Sequence, residues 1–145
     1  MSKVYCSAIV PAPVQEVWAL IRDFGRFAEW HPVVTESRIE GDQRGDTVGC
    51  VRTLPLPDGG SQHEQLLALS DLDHSCAFTI TEGPVPLANY LSELRLRRVT
   101  ADETTFVEWV GQFDVADADE AEVCNTVMTV YHAGLQALTD RFSGR

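Results

Sequence analysis

The sequence predicts an α+β domain of two layers, with a curved antiparallel sheet wrapped around one long C-terminal helix. Three observations predict this arrangement. A strand-like N-terminal segment gives way to helical spacing of apolar residues, residues 33–114 alternate short strands with turn signals, and an apolar stripe with helical spacing follows in residues 118–142. The length of 145 residues suits a single domain over residues 1–145.

The N-terminal third predicts one strand and two short helices. Residues 3–10 form the strand, and Pro13 suits the first turn of a helix, where its missing N–H costs nothing. We expect this helix to end at Gly25, because glycine is a common helix stop. A second helix over residues 26–30 should end before Pro32, which disfavours helical backbone in the preceding residue. Apolar residues of the first helix recur at helical spacing: Val14, Val17, Trp18 and Ile21.

The middle of the chain predicts about six strands in a meander, which makes about seven with the first strand. Glycine, aspartate and proline mark the reversals, because these residues favour turn backbone. The segment at residues 83–86 contains two prolines and is predicted to be a loop, since proline is excluded from central strands. The other predicted turns are residues 41–45, 57–60, 71–74 and 101–103.

The last predicted hairpin indicates which side chains face inward. A turn centred near Asp102 would place Trp109 opposite Leu96 and Phe113 opposite Ser92. Since side chains alternate along a strand, one inward face then joins both strands. Its members are Tyr90, Ser92, Leu94, Leu96, Val107, Trp109, Gly111 and Phe113.

The opposite face of this hairpin is charged, with Glu93, Arg95 and Arg97 on one strand and Glu108 on the other. The same register places Arg97 opposite Glu108. We interpret this face as solvent-exposed with cross-strand charge pairs, rather than as a phosphate site.

The facing of Glu64 stays open at this stage. The predicted turn at residues 57–60 brings Arg52 and Glu64 nearly opposite each other, but a register shift of one residue would reverse the faces. Strict alternation instead favours Leu67 and Leu69 as the inward residues of this strand. The pair is therefore either an exposed cross-strand ion pair or a polar constellation inside the domain.

The C-terminal segment predicts a helix over residues 118–142, longer than roughly 30 Å. Asp117 and Glu120 have the spacing of a capping box, with aspartate in the place of serine or threonine. The apolar stripe consists of Val123, Val127, Val130, Tyr131, Gly134 and Leu138. A sheet that curls around such a helix can leave a hollow between the two layers.

Composition limits the partners. Eleven basic and 22 acidic residues give a net charge of −11, which disfavours nucleic acid and anionic membranes as partners. The N-terminus lacks a signal-peptide pattern, so we expect a cytoplasmic protein. Neither the four cysteines nor the four histidines have metal-ligand spacing, and we expect no metal or cofactor. The protein is expected to be a monomer or a homodimer formed through the free face of the sheet.

Several segments together resemble the START-like helix-grip superfamily (SRPBCC), and most of all its polyketide cyclase/dehydrase branch. The resemblance covers nearly the whole chain and implies the helix-grip fold with an internal cavity. It implies little about chemistry, since one fold serves carriers, receptors and enzymes. The segments that carry it are residues 13–18, 23–24, 30–32, 49–52, 64–66, 86–90, Trp109 with Phe113, and 134–138.

The plant abscisic-acid receptors are similar more distantly, and the resemblance implies a set of cavity-lining positions. It implies that Glu64 faces inward, which requires an irregularity in its strand. It also places a gate at residues 56–58 and a latch at residues 85–87. The implied ligand-binding residues are His31, Arg52, Glu64, Leu87, Tyr90, Ser92, Trp109, Thr126, Val130 and Gly134.

Three of these positions depart from the receptors. His31 stands where they have a lysine, Trp109 where they have a glutamate, and Gly134 where they have a polar residue. The first change weakens a permanent positive charge, the second makes the cavity more apolar, and the third is expected to widen it. The ligand therefore need not be an acid. Both His31 and Trp109 also have a simpler interpretation as core residues.

Three functions follow from these features. The first is binding of a small hydrophobic or amphipathic molecule in a cavity of more than roughly 300 Å³. The second is a cyclase or dehydratase reaction, in which Glu64 or His31 removes a proton next to a carbonyl while Arg52 and Tyr90 stabilise the enolate. The third is a non-catalytic accessory or interaction protein, which would be favoured if Arg52 and Glu64 faced solvent.

Overall fold

A computed structural model of the protein describes residues 1–116 and 119–144. Within them, seven strands form an antiparallel sheet in the order β1-β7-β6-β5-β4-β3-β2. Strands β2 to β7 form the predicted meander, and β1 closes the sheet beside β7. The elements are β1 (Ser2–Val10), α1 (Val14–Ile21), α2 (Phe27–Trp30), β2 (Arg38–Ile39), β3 (Val51–Pro55), β4 (Ser61–Ser70), β5 (Ser75–Glu82), β6 (Leu87–Val99), β7 (Thr104–Val115) and α3 (Glu120–Ser143).

The curved sheet wraps around α3, which confirms the predicted architecture with its two short helices between β1 and β2. The buried face of α3 packs mainly on β1 and β7. Its buried residues are Val123, Val127, Tyr131, Gly134, Leu135 and Leu138. In the described residues, no helix combines the length and the apolar character needed to cross a membrane.

The N-terminal helices differ in detail from the prediction. Helix α1 ends at Ile21, not at Gly25, because the Asp23 side chain accepts a hydrogen bond from the Gly25 N–H and begins a 3₁₀ turn at Phe24–Arg26. Pro13 precedes the first turn in extended backbone. The cap of α3 is Asp119, whose side chain accepts a hydrogen bond from the Glu122 N–H; the expected capping residue, at position 117, lies outside the described residues.

The β6–β7 register is shifted by two residues from the prediction. Leu94, not Leu96, lies opposite Trp109, and Ser92 lies opposite Gly111. The shift arises because the turn is centred one residue earlier than expected, between Val99 and Thr104, with Glu103 at a φ of 59°. A shift of two residues preserves the side-chain faces, so the predicted inward face is retained.

The shifted register also changes the cross-strand pairs of the charged residues on the outer face. Arg95, not Arg97, lies opposite Glu108, and Arg97 lies opposite Phe106. Arg95 also lies 3.6 Å from Glu93 on the same strand. These arginines therefore belong to an outer surface that carries acidic neighbours.

Two irregularities in the β4–β5 ladder decide the facing of β4. The register shifts between His63 and Glu64 and again between Leu66 and Ala68. As a result Glu64 and Leu66 point inward, with 4% and 1% exposure, while Leu67 is 43% exposed. The alternation-based prediction that Leu67 faces inward is wrong, because a β-bulge reverses the alternation at that point. The irregularity that an inward Glu64 requires is present.

Candidate functional site

A cavity of about 160 Å³ lies between the concave face of the sheet and α3. It is roughly half the size expected from the sequence, since the pockets of drug-sized ligands begin near 300 Å³. Most of its wall is apolar. The lining residues that β3, β5 and the neighbouring loops contribute include Val33, Val34, Leu54, Pro55, Leu56, Phe78, Ile80 and Val85.

The cavity has an outer and an inner end. The exposed residues Val33 and Pro55 form part of the outer rim, together with the turn after β3 and the loop before β6. These two segments contain the positions expected to form the gate and the latch. At the inner end, Trp109 and Tyr131 are each 1% exposed. The cavity therefore opens toward these loops and is closed at its inner end by aromatic rings.

Glu64 and Arg52 form a buried ion pair across β3 and β4. The Arg52 Nε and Nη2 atoms donate to Glu64 Oε1 at 2.9 and 2.6 Å. The other carboxylate oxygen, Oε2, accepts a hydrogen bond from Gln62 Nε2 at 2.7 Å. Glu64 lines the cavity, whereas Arg52 lies behind it. A bound molecule therefore meets the carboxylate first.

Three phenylalanine rings enclose the Arg52 guanidinium. Its central carbon lies 3.7 Å from the ring centre of Phe24, 3.8 Å from that of Phe27 and 4.7 Å from that of Phe78. Arg52 Nη1 also donates to the Phe24 carbonyl oxygen at 3.1 Å. Burial lowers the pKa of the guanidinium, while Glu64 acts in the opposite direction. The rings and the ion pair fix the orientation of Glu64 at the cavity wall.

His31 is held as a neutral imidazole at the base of the cavity. Its Nε2 donates to the Val130 carbonyl oxygen at 2.9 Å, and its Nδ1 accepts from the Val33 N–H at 3.2 Å. Burial is the main cause that lowers its pKa. Both ring nitrogens are thus engaged with the backbone. In this arrangement the imidazole serves packing and is poorly placed to remove a proton from a ligand.

A chain of hydrogen bonds runs behind the inner wall. Trp109 Nε1 donates to Ser92 Oγ at 2.7 Å, and Ser92 Oγ lies 3.1 Å from Tyr131 Oη. Tyr131 Oη in turn lies 2.5 Å from Tyr90 Oη. Burial raises the pKa of Tyr90 to about 12 and raises that of Tyr131 as well. Both phenols are therefore neutral at physiological pH.

Two glycines permit the aromatic wall. The Trp109 and Tyr131 rings stack with centroids 4.2 Å apart and an interplanar angle of 9°. A Cβ atom at Gly111 would lie 2.4 Å from Tyr131 Oη, and one at Gly134 would lie 2.8 Å from both His31 Cδ2 and Trp109 Cζ3. Gly134 therefore does not widen the cavity as expected, because the two rings fill the space that a side chain would occupy.

Seven of the ten predicted ligand-binding residues line the cavity: His31, Glu64, Leu87, Tyr90, Trp109, Thr126 and Val130. The other three, Arg52, Ser92 and Gly134, lie directly behind the wall and support it. Tyr131 also lines the cavity. It was not among the predicted ligand-binding residues, although the spacing of apolar residues placed it in the inward stripe of the C-terminal helix. The sequence signal that could have indicated Tyr131 is Gly111, because a glycine within a strand often marks the close approach of another group.

The site offers hydrogen-bonding groups rather than metal ligands. In the described ranges, no group of three or more histidine, cysteine, aspartate or glutamate side chains is arranged to hold a metal ion. The four cysteines are unpaired thiols, three of them buried and Cys124 partly buried. The polar groups at the cavity surface include the Glu64 carboxylate and the Tyr90 hydroxyl.

A family model matches nearly the whole chain. The family model for polyketide cyclase / dehydrase and lipid transport matches residues 1–143. The chain belongs to this family. Its fold is that of the START-like helix-grip proteins, as the sequence resemblance implied.

Individual relatives extend the comparison. The abscisic acid receptor PYL7 of Arabidopsis thaliana is 31% identical over 139 residues, which cover 89% of this chain and 63% of the receptor. A solved protein of Nitrosospira multiformis superimposes with a TM-score of 0.87 at 35% identity, covering 98% of this chain and 97% of that one. The protein XoxI of Bacillus cereus gives 0.87 at 30% identity, covering 98% and 96%.

Proposed function

We propose that this member of the polyketide cyclase / dehydrase and lipid transport family binds a small, mostly apolar molecule in the cavity between the sheet and α3. The observation that carries the proposal is a mostly apolar cavity of about 160 Å³ whose wall includes a few polar side chains, Glu64 and Tyr90 among them. Ligand pockets commonly combine apolar walls with a few well-placed polar groups. The receptor relative, named for abscisic acid, supports binding as the general role.

The buried ion pair adds independent support. Removing Arg52 and Glu64 from water carries a large desolvation cost, and such a pair is weak evidence for a stabilising role. Glu64 is only 4% exposed yet forms part of the cavity surface. A polar contact with a ligand gives a reason for placing a carboxylate there. An accessory or interaction protein would have been favoured if Arg52 and Glu64 faced solvent. Both side chains are buried, so this observation does not favour that function.

Geometry weighs against the cyclase or dehydratase alternative. A general base needs an available atom within hydrogen-bond reach of the substrate proton. His31 uses both nitrogens on backbone groups, and a proton taken up by Glu64 would leave the buried Arg52 guanidinium without its charge partner. Binding without turnover is the function that these contacts support better.

Native mass spectrometry with organic extraction tests the proposal. The purified protein should carry a non-covalent adduct that extraction removes. Val130→Phe, which places a ring in the cavity, should abolish the adduct, whereas Val48→Phe at a position with 56% exposure should retain it. An adduct that persists at full occupancy in Val130→Phe would place the ligand elsewhere and contradict the proposal.

A further inference from the structure

We infer that the cavity selects a neutral molecule of about one six-membered ring that carries a hydroxyl group, such as a phenol or a cyclic alcohol. This inference rests on the proposed binding function and specifies its ligand class. It follows from three features: the direction of the hydrogen-bond chain that ends at Tyr90, the state of the Glu64 carboxylate, and the size of the enclosed space.

The hydrogen-bond chain begins at a fixed donor. Trp109 Nε1 is only a donor, so Ser92 Oγ accepts from it. In the direction that we infer, the hydroxyl proton of Ser92, a residue with 0% exposure, points to Tyr131 Oη at 3.1 Å. The Tyr131 proton in turn points to Tyr90 Oη. The chain therefore leaves the Tyr90 proton as a hydrogen-bond donor at the cavity wall.

The Glu64 carboxylate supplies the complementary acceptor. A carboxylate has about four lone-pair positions, two on each oxygen. Arg52 occupies both positions on Oε1, and Gln62 occupies one on Oε2. One acceptor position on Oε2 remains, in the wall of the same cavity that Tyr90 lines. A hydroxyl group both accepts and donates, so it can satisfy both groups.

Charge narrows the ligand class further. The anionic group Glu64 forms part of the cavity surface, while its cationic partner Arg52 lies behind it and is enclosed by three phenylalanine rings. His31 is held neutral by its two backbone hydrogen bonds. A ligand carboxylate would meet Glu64, whose charge Arg52 already balances, so its own charge would have no cation left to pair with, which is unfavourable.

Size sets the third limit. A buried apolar cavity of about 150 Å³ is known to hold a benzene molecule. The cavity here has about 160 Å³, and the Trp109–Tyr131 stack closes its inner end. Because Gly111 and Gly134 leave no room behind the stack, the wall cannot retreat easily. The space at the inner wall therefore matches one ring, and we expect a second fused ring to be excluded from it.

Titration followed by nuclear magnetic resonance tests the inference with four probes: phenol, benzene, benzoate and 1-naphthol. The Trp109 indole N–H signal, assigned by its loss in Trp109→Phe, reports events at the inner wall. We expect phenol to bind three- to tenfold more tightly than benzene, the range of one ordinary hydrogen bond. Benzoate and 1-naphthol should leave the signal unchanged at the same concentrations.

Tyr90→Phe provides the decisive variant. It should reduce the affinity for phenol to that for benzene and leave benzene binding unchanged, which a general loss of structure would not do. The matched control is Tyr5→Phe, the same chemical change at a residue on the outer face with 46% exposure. It should leave the binding of both probes unaltered.

The outcomes separate this inference from the proposed function. If benzoate or 1-naphthol binds as tightly as phenol and shifts the Trp109 signal, the ligand class is wrong while cavity binding stands. An unchanged preference for phenol in Tyr90→Phe likewise overturns the assigned donor. If all four probes leave the signal unchanged, both the ligand class and the proposed binding function fail.

Discussion

At the residue scale, Gly134 shows how a missing side chain shapes the site. The His31 ring is fixed at both nitrogens and the Trp109 ring is stacked on Tyr131, so neither can move away from an added methyl group. Gly134→Ala should therefore lower the free energy of unfolding by up to about 2 kcal/mol, although alanine is ordinarily favoured over glycine in a helix. Urea denaturation measures the change.

The control for this substitution uses an exposed position of the same helix. His132→Ala should be more stable than His132→Gly by about 1 kcal/mol, which gives the helix propensity alone. If Gly134→Ala gained stability by a similar amount, the close packing of the two rings around this glycine would be disproved.

The Arg52–Glu64 pair supports a second prediction at this scale. Glu64→Leu leaves a buried guanidinium without its carboxylate and should cost about 3–5 kcal/mol of stability. The double variant with Arg52→Met should recover most of that loss, because replacing a whole buried pair by apolar residues is often nearly neutral. Equal losses in the single and double variants, measured by chemical denaturation, would show that the charge pairing is not the cause.

At the element scale, the bulge in β4 determines which leucines support the core. Leu66→Ala should cost about 2–5 kcal/mol, as for other buried leucines. Leu67→Ala should change stability by less than about 0.5 kcal/mol, since its side chain is largely exposed. Thermal or urea unfolding of this neighbouring pair gives a direct comparison. The reverse order would mean that the strand follows simple alternation.

Local sequence patterns predicted the elements better than their exact pairing. Alternation along β6 and β7 is a property of each strand, so the inward face was predictable, whereas the register depended on a left-handed residue at Glu103. Glu64 could not be placed from alternation because the β4 irregularities depend on pairing with β5. The cavity is smaller than predicted because the Trp109 and Tyr131 rings stack at its inner end. This contact joins a strand to a helix, so a local sequence pattern does not show it.

At the scale of the whole molecule, His31 links stability to acidity. Its pKa is lowered in the folded state, so the unfolded chain binds a proton more readily. The stability due to the neutral ring is complete above about pH 6.5, the unfolded pKa, and is lost as the pH falls through the folded value. In His31→Gln, unfolding free energies between pH 7 and 5.5 should decline less steeply than in the parent protein. An identical slope would exclude this residue as the cause.

The ultraviolet absorbance of the hydrogen-bonded phenols of Tyr90 and Tyr131 can report whether the protein is folded. Tyr90 has a pKa of about 12 and that of Tyr131 is also raised, so the folded state resists forming phenolate in alkali. Unfolded tyrosine ionises near pH 10, and the stability from these two groups is lost as the pH rises from there through the folded values. In a rapid pH jump to 11, ultraviolet absorbance of phenolate from these two rings should appear only as fast as the protein unfolds, and an instantaneous full signal would contradict their burial.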